Sequence, residues 1–264
     1  MTDTGKISCT VAVLTKNSAT TLSRALESVE DFTEVLVCDG GSTDRTLDIA
    51  RAFGARIIPQ DPAFKDAEGK IKDFAAVRNQ TLRASTQEWF FYLDSDEVMT
   101  PELAAEIHSD ILQNVRTSVW VERKYEIDGK IIDCAATYPT RQMRFFHKDA
   151  VTEFIKPIHE RINQKQGAVI KTTEHFMLVP VSPDPRVWRE KWKHYIALEA
   201  ARRGKISFAD WLGVCAENCK ISALYLFRYG RGLIFCRGKT RMPWRLEWER
   251  HVYHWSLCKA LFRS

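Results

Sequence analysis

Four short apolar runs rich in β-branched or aromatic residues punctuate the start of the chain: Ile7–Thr15, Glu34–Cys38, Arg56–Pro59 and Trp89–Leu93. Runs this short, bounded by polar turn residues, read as buried strands. Between the first two, Leu22, Ala25, Leu26 and Val29 recur at helical spacing on one face. Leu47, Ala50 and Ala52 carry a second helix to a stop at Gly54, and Phe74–Ala84 is a third. Thr100-Pro101-Glu102 then supplies a capping residue, a proline for the first turn and an acid for the helix dipole. Strand and helix alternating through short connections predict an α/β fold with a mixed, mainly parallel sheet flanked by helices.

The pattern then changes. Ser118–Tyr125 and Ile131–Cys134 flank Asp128-Gly129, a hairpin signal, and Gln142–Phe146 and Ala168–Lys171 read as further strands. Helical spacing resumes over Pro185–Arg203, with Trp188, Trp192, Tyr195, Ile196 and Leu198 as its apolar set and Gly204 as its end. Charge shifts at the same place. From Arg186 onward there are 17 basic against 6 acidic residues and six of the eight tryptophans; before it, 22 basic against 28 acidic. Two domains are expected: residues 1–184, and a C-terminal helical extension over 185–264 that associates with membrane. Basic residues interleaved with Trp suit an anionic membrane surface. No nucleic-acid partner is expected, because no nucleic-acid motif accompanies the basic tail.

No secretory leader is expected, since the first apolar run follows Asp3 and not a basic segment, and no spanning helix, since Ile221–Cys236 is interrupted by Arg228 and Arg231. Seven scattered cysteines, an odd number, suggest reduced thiols in the cytosol, with Cys215 and Cys219 as core thiols. His251 and His254 read as part of an amphipathic helix surface and not as a metal site.

The chemistry sits at the strand ends. In an open parallel sheet, ligands lie outside the carboxyl ends of the strands. Here one such end carries Asp39 and another Asp94 and Asp96. Neighbouring strands would bring the two positions close together. Asp-x-Asp spacing along a strand would point both carboxylates the same way, ready to share a divalent cation. Mg²⁺ or Mn²⁺, with oxygen ligands and open positions for phosphate, suits a diphosphate-containing substrate. Gly40-Gly41-Ser42-Thr43 is neither a P-loop nor a dinucleotide fingerprint. It reads as a capped strand-to-helix turn that presents Asp39 outward.

Together, TVAVLTKNSATTLSRALESV, EVLVCDGGSTDRTLDIARAFGARI and RNQTLRASTQEWFFYLDSDEVMTPEL resemble a family 2 glycosyltransferase of the GT-A fold across about the first 110 residues. Within it, RQMRFFHKDAV, KPIHERI and the later His175 are similar to the bacterial lipopolysaccharide-core glucosyltransferase type. The resemblance implies that Thr15 and Asn17 border the nucleotide and that Asp39 accepts a hydrogen bond from a uridine-type base. It implies that Arg78 and Asn79 hold the nucleotide or its phosphates, and that Asp94 faces the ribose or donor sugar. Asp96 would bind the divalent cation, with His175 completing its shell. Glu160 would be the catalytic base, unless it simply pairs with a neighbouring arginine; Asp149 and Glu153 are the alternatives. Arg141 and Arg144 would clamp donor or acceptor phosphates, or lie on a solvated strand face. Two departures are Gly40, where members often have Asp or Ser, and Ser18, where they often have an acidic residue.

The implied activity is an inverting, metal-dependent hexosyl transfer from a nucleotide sugar, UDP-hexose, to a cell-surface glycan or lipid-linked acceptor such as lipopolysaccharide core. It would take place on the inner face of the cell membrane, in the cytoplasm. Sugar nucleotidylyltransfer, the competing chemistry, normally uses a Gly-rich basic loop at the first strand end, which Thr15-Lys16-Asn17-Ser18 lacks.

Overall fold

The computed structural model describes residues 5–158 and 160–263. In chain order the elements are β1 (Ile7–Thr15), α1 (Leu22–Glu27), β2 (Phe32–Asp39), α2 (Thr46–Ala52), β3 (Arg56–Pro59), α3 (Phe74–Ala84), β4 (Trp89–Asp94), β5 (Val98–Met99) and α4 (Pro101–Gln113). There follow β6 (Thr117–Ile127), β7 (Lys130–Ile131), β8 (Thr140–His147), β9 (Val151–Ile155), β10 (Arg161–Gln164) and β11 (Val169–Pro180). Three helices end the chain: α5 (Pro185–Arg203), α6 (Phe208–Phe235) and α7 (Trp244–Arg263).

The main sheet runs in the order β3-β2-β1-β4-β8-β6-β11-β5, with β7 paired to β6. Strands β1 to β4 are mutually parallel, and β8 pairs antiparallel with β4. The expected α/β class holds. Chain direction across the sheet reverses at β1, which lies between β2 and β4, so the carboxyl ends of these three strands border a topological switch point.

Both faces of the central strands β1 and β4 are buried, which is why these strands read as nearly unbroken apolar runs. Along β4, Trp89, Phe91 and Leu93 join a core with Leu22 and Leu26 of α1 and Leu103 and Ile107 of α4. The alternate residues Phe90 and Tyr92 face Ala75 of α3, Phe146 of β8 and Phe154 of β9. Burying each such aromatic contributes about 1.5–3 kcal/mol. The Thr100 side chain accepts from Leu103 N–H at 3.3 Å and caps α4, and Asp73 caps α3 through Ala76 N–H at 2.9 Å. The Asp128-Gly129 turn has both residues at positive φ, 49° and 74°, as a two-residue hairpin requires.

The chain divides into two compact units, and the division differs from a single cut at 184/185. One unit is the chain through Arg123 plus Arg141–Val179; the other is Lys124–Thr140 plus everything from Pro180. The second unit recruits a mid-chain segment because Ile127 and Ile132 supply the apolar partners for Trp188, Met242 and Leu246. The cysteine expectation is corrected here. Cys134, in that segment, is bonded to Cys236 at the end of α6, across 102 residues of sequence. Cys215 is half-buried and Cys219 exposed, so neither is a core thiol. Rings meet between the helices, Trp192 and Tyr253 edge to face with centroids 5.5 Å apart and Tyr229 and Trp244 tilted with centroids 4.6 Å apart. Among the described residues no helix is long and apolar enough to cross a membrane.

Candidate active site

Asp39 ends β2 and does not project outward: it is 5% exposed. Its carboxylate receives the N–H groups of Gly41 and Ser42, both at 2.8 Å, and the hydroxyls of Ser42 at 2.5 Å and Thr15 at 3.0 Å. Burial alone would raise its pKa, but these donors outweigh it and hold the group below the ordinary carboxylate value. Four donors occupy the four lone-pair positions of a carboxylate. Asp39 therefore shapes the turn from within, and the outward presentation expected from sequence does not occur. Gly40 is glycine for lack of room: a Cβ there would lie 3.0 Å from Gln60 Oε1 and 3.1 Å from Thr15 O.

Asn17 stands at φ 50° and ties the same turn, its Oδ1 accepting from Thr43 N–H at 2.8 Å while its own N–H reaches Ser42 Oγ at 2.8 Å. Two lysines tie the 61–72 loop to these strand ends. Lys16 Nζ donates to Gly69 O at 2.6 Å, and Lys65 Nζ to Gly40 O at 2.8 Å. Ser18 Oγ lies 2.9 Å from Ser95 Oγ and so links the end of β1 to the end of β4.

Asp39 and Asp94 are not on neighbouring strands. β1 separates them, with Thr15 in register with Asp39 and Leu14 with Asp94. Two inter-strand spacings place them about 10 Å apart, room for a nucleotide ligand across the end of β1.

Asp94 is the last residue of β4, and Glu97 N–H closes a turn onto its carbonyl at 3.0 Å. Asp96 therefore sits in the turn, not on the strand, and the expected same-side alternation of Asp94 and Asp96 does not apply. Asp94 continues the face of Tyr92, toward α3 and β8, and meets an arginine from each. Arg78 of α3 bonds Asp94 Oδ1, and Arg144 of β8 donates to Oδ2 at 3.1 Å. Both guanidinium groups lie over the Tyr92 ring, 4.6 and 4.5 Å from its centroid. Burial would raise the Asp94 pKa, but Arg144 and Arg78 hold it well below the usual range.

Arg144, 2% exposed, is neither a phosphate clamp in solvent nor part of a solvated face. Besides Asp94 it donates to Glu97 Oε1 at 2.9 Å, Gln142 Oε1 at 2.9 Å and Tyr92 O at 3.2 Å. Glu97 is equally buried and has Arg123 at 3.6 Å; burial pushes its carboxyl upward. Sequence reasoning missed Glu97, Arg123 and the inward turn of Arg144. The signal was present: Arg144 and Phe146 are two apart on one strand, so they share a face. Arg141 does lie exposed, 3.8 Å from Glu122.

Glu160 comes into this cluster from the segment between β9 and β10; His159 beside it lies outside the described residues. Glu160 Oε1 is 3.6 Å from Arg78 Nε, a partner distant in sequence and not an adjacent arginine. Arg78 is 3% exposed, yet among the described residues its Nε and Nη1 have no hydrogen-bond acceptor. Asn79 points elsewhere. Its amide exchanges two 2.8 Å hydrogen bonds with the backbone of Phe154 and fastens α3 to β9, so it is not available to hold a nucleotide. Asp149 pairs with Arg116 at 2.8 Å, and Glu153 is exposed on β9.

His175, on β11, is engaged by α4. Its Nδ1 lies 2.9 Å from Glu106 Oε2, and its backbone N–H donates to the same carboxylate. Among the described residues no three His, Cys, Asp or Glu side chains gather to hold an ion, so Asp96 and His175 form no ready cage. Asp96 is exposed at the turn. A hard carboxylate oxygen there would suit an Mg²⁺ or Mn²⁺ ion that takes its remaining ligands from the substrate and water.

Comparison with known proteins decides the family. The model of glycosyl transferase family 2 matches residues 10–177. The chain belongs to this family. A TPR repeat-containing protein of Synechococcus elongatus is 32% identical over 154 residues, 58% of this chain and 35% of that protein. The glycosyltransferase SunS of Bacillus subtilis is 32% identical over 105 residues, 38% of this chain and 22% of SunS. The chain thus spans about a third or less of these relatives' length. Among solved structures, Staphylococcus aureus TarS in complex with UDP aligns over 87% of this chain and 72% of its own, with 15% identity and a TM-score of 0.48.

Proposed function

We propose that this glycosyltransferase-family site moves a hexosyl group, with inversion, from UDP-hexose to a hydroxyl of a cell-surface glycan or lipid-linked acceptor such as lipopolysaccharide core. The observation that carries the reading is Arg78. A buried guanidinium with two unbonded nitrogens, wedged between Asp94 and Glu160 at a switch-point strand end, calls for an anionic ligand. A diphosphate supplies acceptors of that kind.

The uridine lies against the loops that Asp39, Thr15 and Asn17 hold in shape. Asp94, fixed by two arginines, accepts from hydroxyls of the ribose or the donor sugar. Asp96 holds the divalent cation, which when bound stabilises charge on the departing diphosphate. Glu160 takes the proton of the acceptor hydroxyl as that oxygen bonds to the anomeric carbon and the carbon–diphosphate bond breaks. One displacement inverts configuration and forms no covalent enzyme intermediate. Arg141, exposed beside the site, is the acceptor-side cation. The second unit, basic in composition, exposes Phe208, Phe227, Ile234, Phe235 and Trp255 and rests on an anionic membrane.

A panel of nucleotide sugars tests this. One UDP-hexose, with Mn²⁺, should stabilise the protein by about 2.7 kcal/mol at a hundredfold excess over Kd and release UDP slowly. Arg78→Gln should weaken both. Pyrophosphate release from a nucleoside triphosphate plus sugar phosphate would instead show nucleotidylyl transfer and sink the proposal.

A further inference from the structure

The second unit holds a pocket of about 410 Å³ between the last turns of α6 and the segments around Cys134 and Arg241. Three guanidinium groups line it: Arg228 and Arg231, about one turn apart on α6, and Arg241. Among the described residues none of the three has a carboxylate within 4.0 Å. The two acids on the wall are already engaged. Asp133 lies 3.7 Å from Lys124 Nζ, and Glu247 accepts Ala136 N–H at 2.7 Å. The walls are fastened together, since Cys134 is bonded to Cys236 and its carbonyl accepts Met242 N–H at 2.9 Å.

The pocket's lip is apolar. Leu233 and Phe235 line it while remaining 46% and 71% exposed, and the Arg231 guanidinium lies 5.7 Å from the Phe235 ring centroid. Ile234 and Phe227 extend this exposed apolar surface along α6. Guanidinium forks match phosphate oxygens, and contiguous exposed apolar side chains mark a surface that something covers. A soluble anion would satisfy the arginines and leave the lip bare; an amphiphile satisfies both.

We propose that this pocket binds the phosphate headgroup of a membrane lipid, with the hydrocarbon chain lying along the exposed face of α6. This rests on the membrane reading above but is narrower, because general attraction of a basic surface needs no pocket. The test is sedimentation of the full chain with phosphatidylcholine vesicles carrying either phosphatidate or phosphatidylserine at the same surface charge. Phosphatidate vesicles should bind several-fold more tightly. Arg228→Gln/Arg231→Gln/Arg241→Gln should lose about tenfold or more, while Lys205→Gln/Lys259→Gln stays within about threefold. Circular dichroism checks that both variants fold, and the phosphatidate-to-phosphatidylserine ratio needs no variant at all. Equal binding to both vesicles, or equal losses in both variants, overturns the pocket and leaves the membrane reading standing. Binding to no vesicle overturns both. Saturation by inorganic phosphate without vesicle binding shows a soluble-anion site and refutes the lipid. Tighter binding to RNA than to phosphatidate vesicles also refutes it.

Discussion

Glu160 and Arg78 sit 3.6 Å apart, and different consequences follow from losing each. Glu160→Gln removes the base but keeps the shape. It should lower kcat by about 10²- to 10⁴-fold and leave the donor KM within a few-fold, measured by steady-state transfer. A kcat within tenfold of the parent would move the base elsewhere. Arg144 shows what residue-level reading of a sequence achieves. Its charge marks it as functional, yet a basic residue in a strand reads equally as a clamp or as a solvated face. It is neither: β8 lies beside β4, a pairing no local pattern fixes, and Arg144 turns inward onto Asp94 and Glu97. Asp39 teaches the same lesson in reverse: its place at a strand end was legible, but three of the four donors that close around it come from a turn whose geometry Gly41, at φ 89°, permits.

At the scale of elements, the α6–α7 pair carries a pH dependence. His254 Nδ1 lies 2.6 Å from Asn218 Oδ1, and burial first, then His251 and Arg250, lowers its pKa below the ordinary 6.5. The unfolded chain therefore takes up this proton first as pH falls through 6.5. Stability is flat above that value and declines as pH drops toward the folded-state pKa. The fall in Tm between pH 7 and pH 5.5 should shrink in His254→Gln; an unchanged fall would show that the imidazole is not strained by burial.

The disulfide is the other element-level device. Closing a loop of 102 residues should contribute about 2–4 kcal/mol, so Cys236→Ser should lower the denaturation midpoint accordingly. A midpoint that does not move, or that moves equally on adding reductant to the variant, would remove the bond from the account. Strands and helices up to α4, the two-residue β5 excepted, were legible because their apolar runs are local. β9 and β10 were not: among the described residues these two short strands pair with each other alone, and their half-exposed pattern lacks a continuous apolar run. α6 escaped a firm outline because its half-buried positions, among them Trp211, Cys215, Asn218, Ser222 and Tyr225, recur at helical spacing but mix polar with apolar side chains.

For the molecule as a whole, the uneven charge was readable by counting, and the two-unit division was not. The mid-chain segment Lys124–Thr140 belongs with the C-terminal helices through Ile127, Ile132 and Cys134, contacts far apart in sequence. The site, by contrast, belongs wholly to the first unit, where three strand ends set the positions of Thr15, Asp39 and Asp94 before any ligand arrives. That pre-set edge is what the proposed chemistry depends on. Calorimetric titration of the full protein with UDP, with and without Mn²⁺, tests it most directly. Binding should require the ion, and it should weaken about tenfold or more, a cost of about 1.4 kcal/mol or greater, in both Asp96→Asn and Arg78→Gln. UDP binding that ignores Mn²⁺ and is unchanged in both variants would contradict the account.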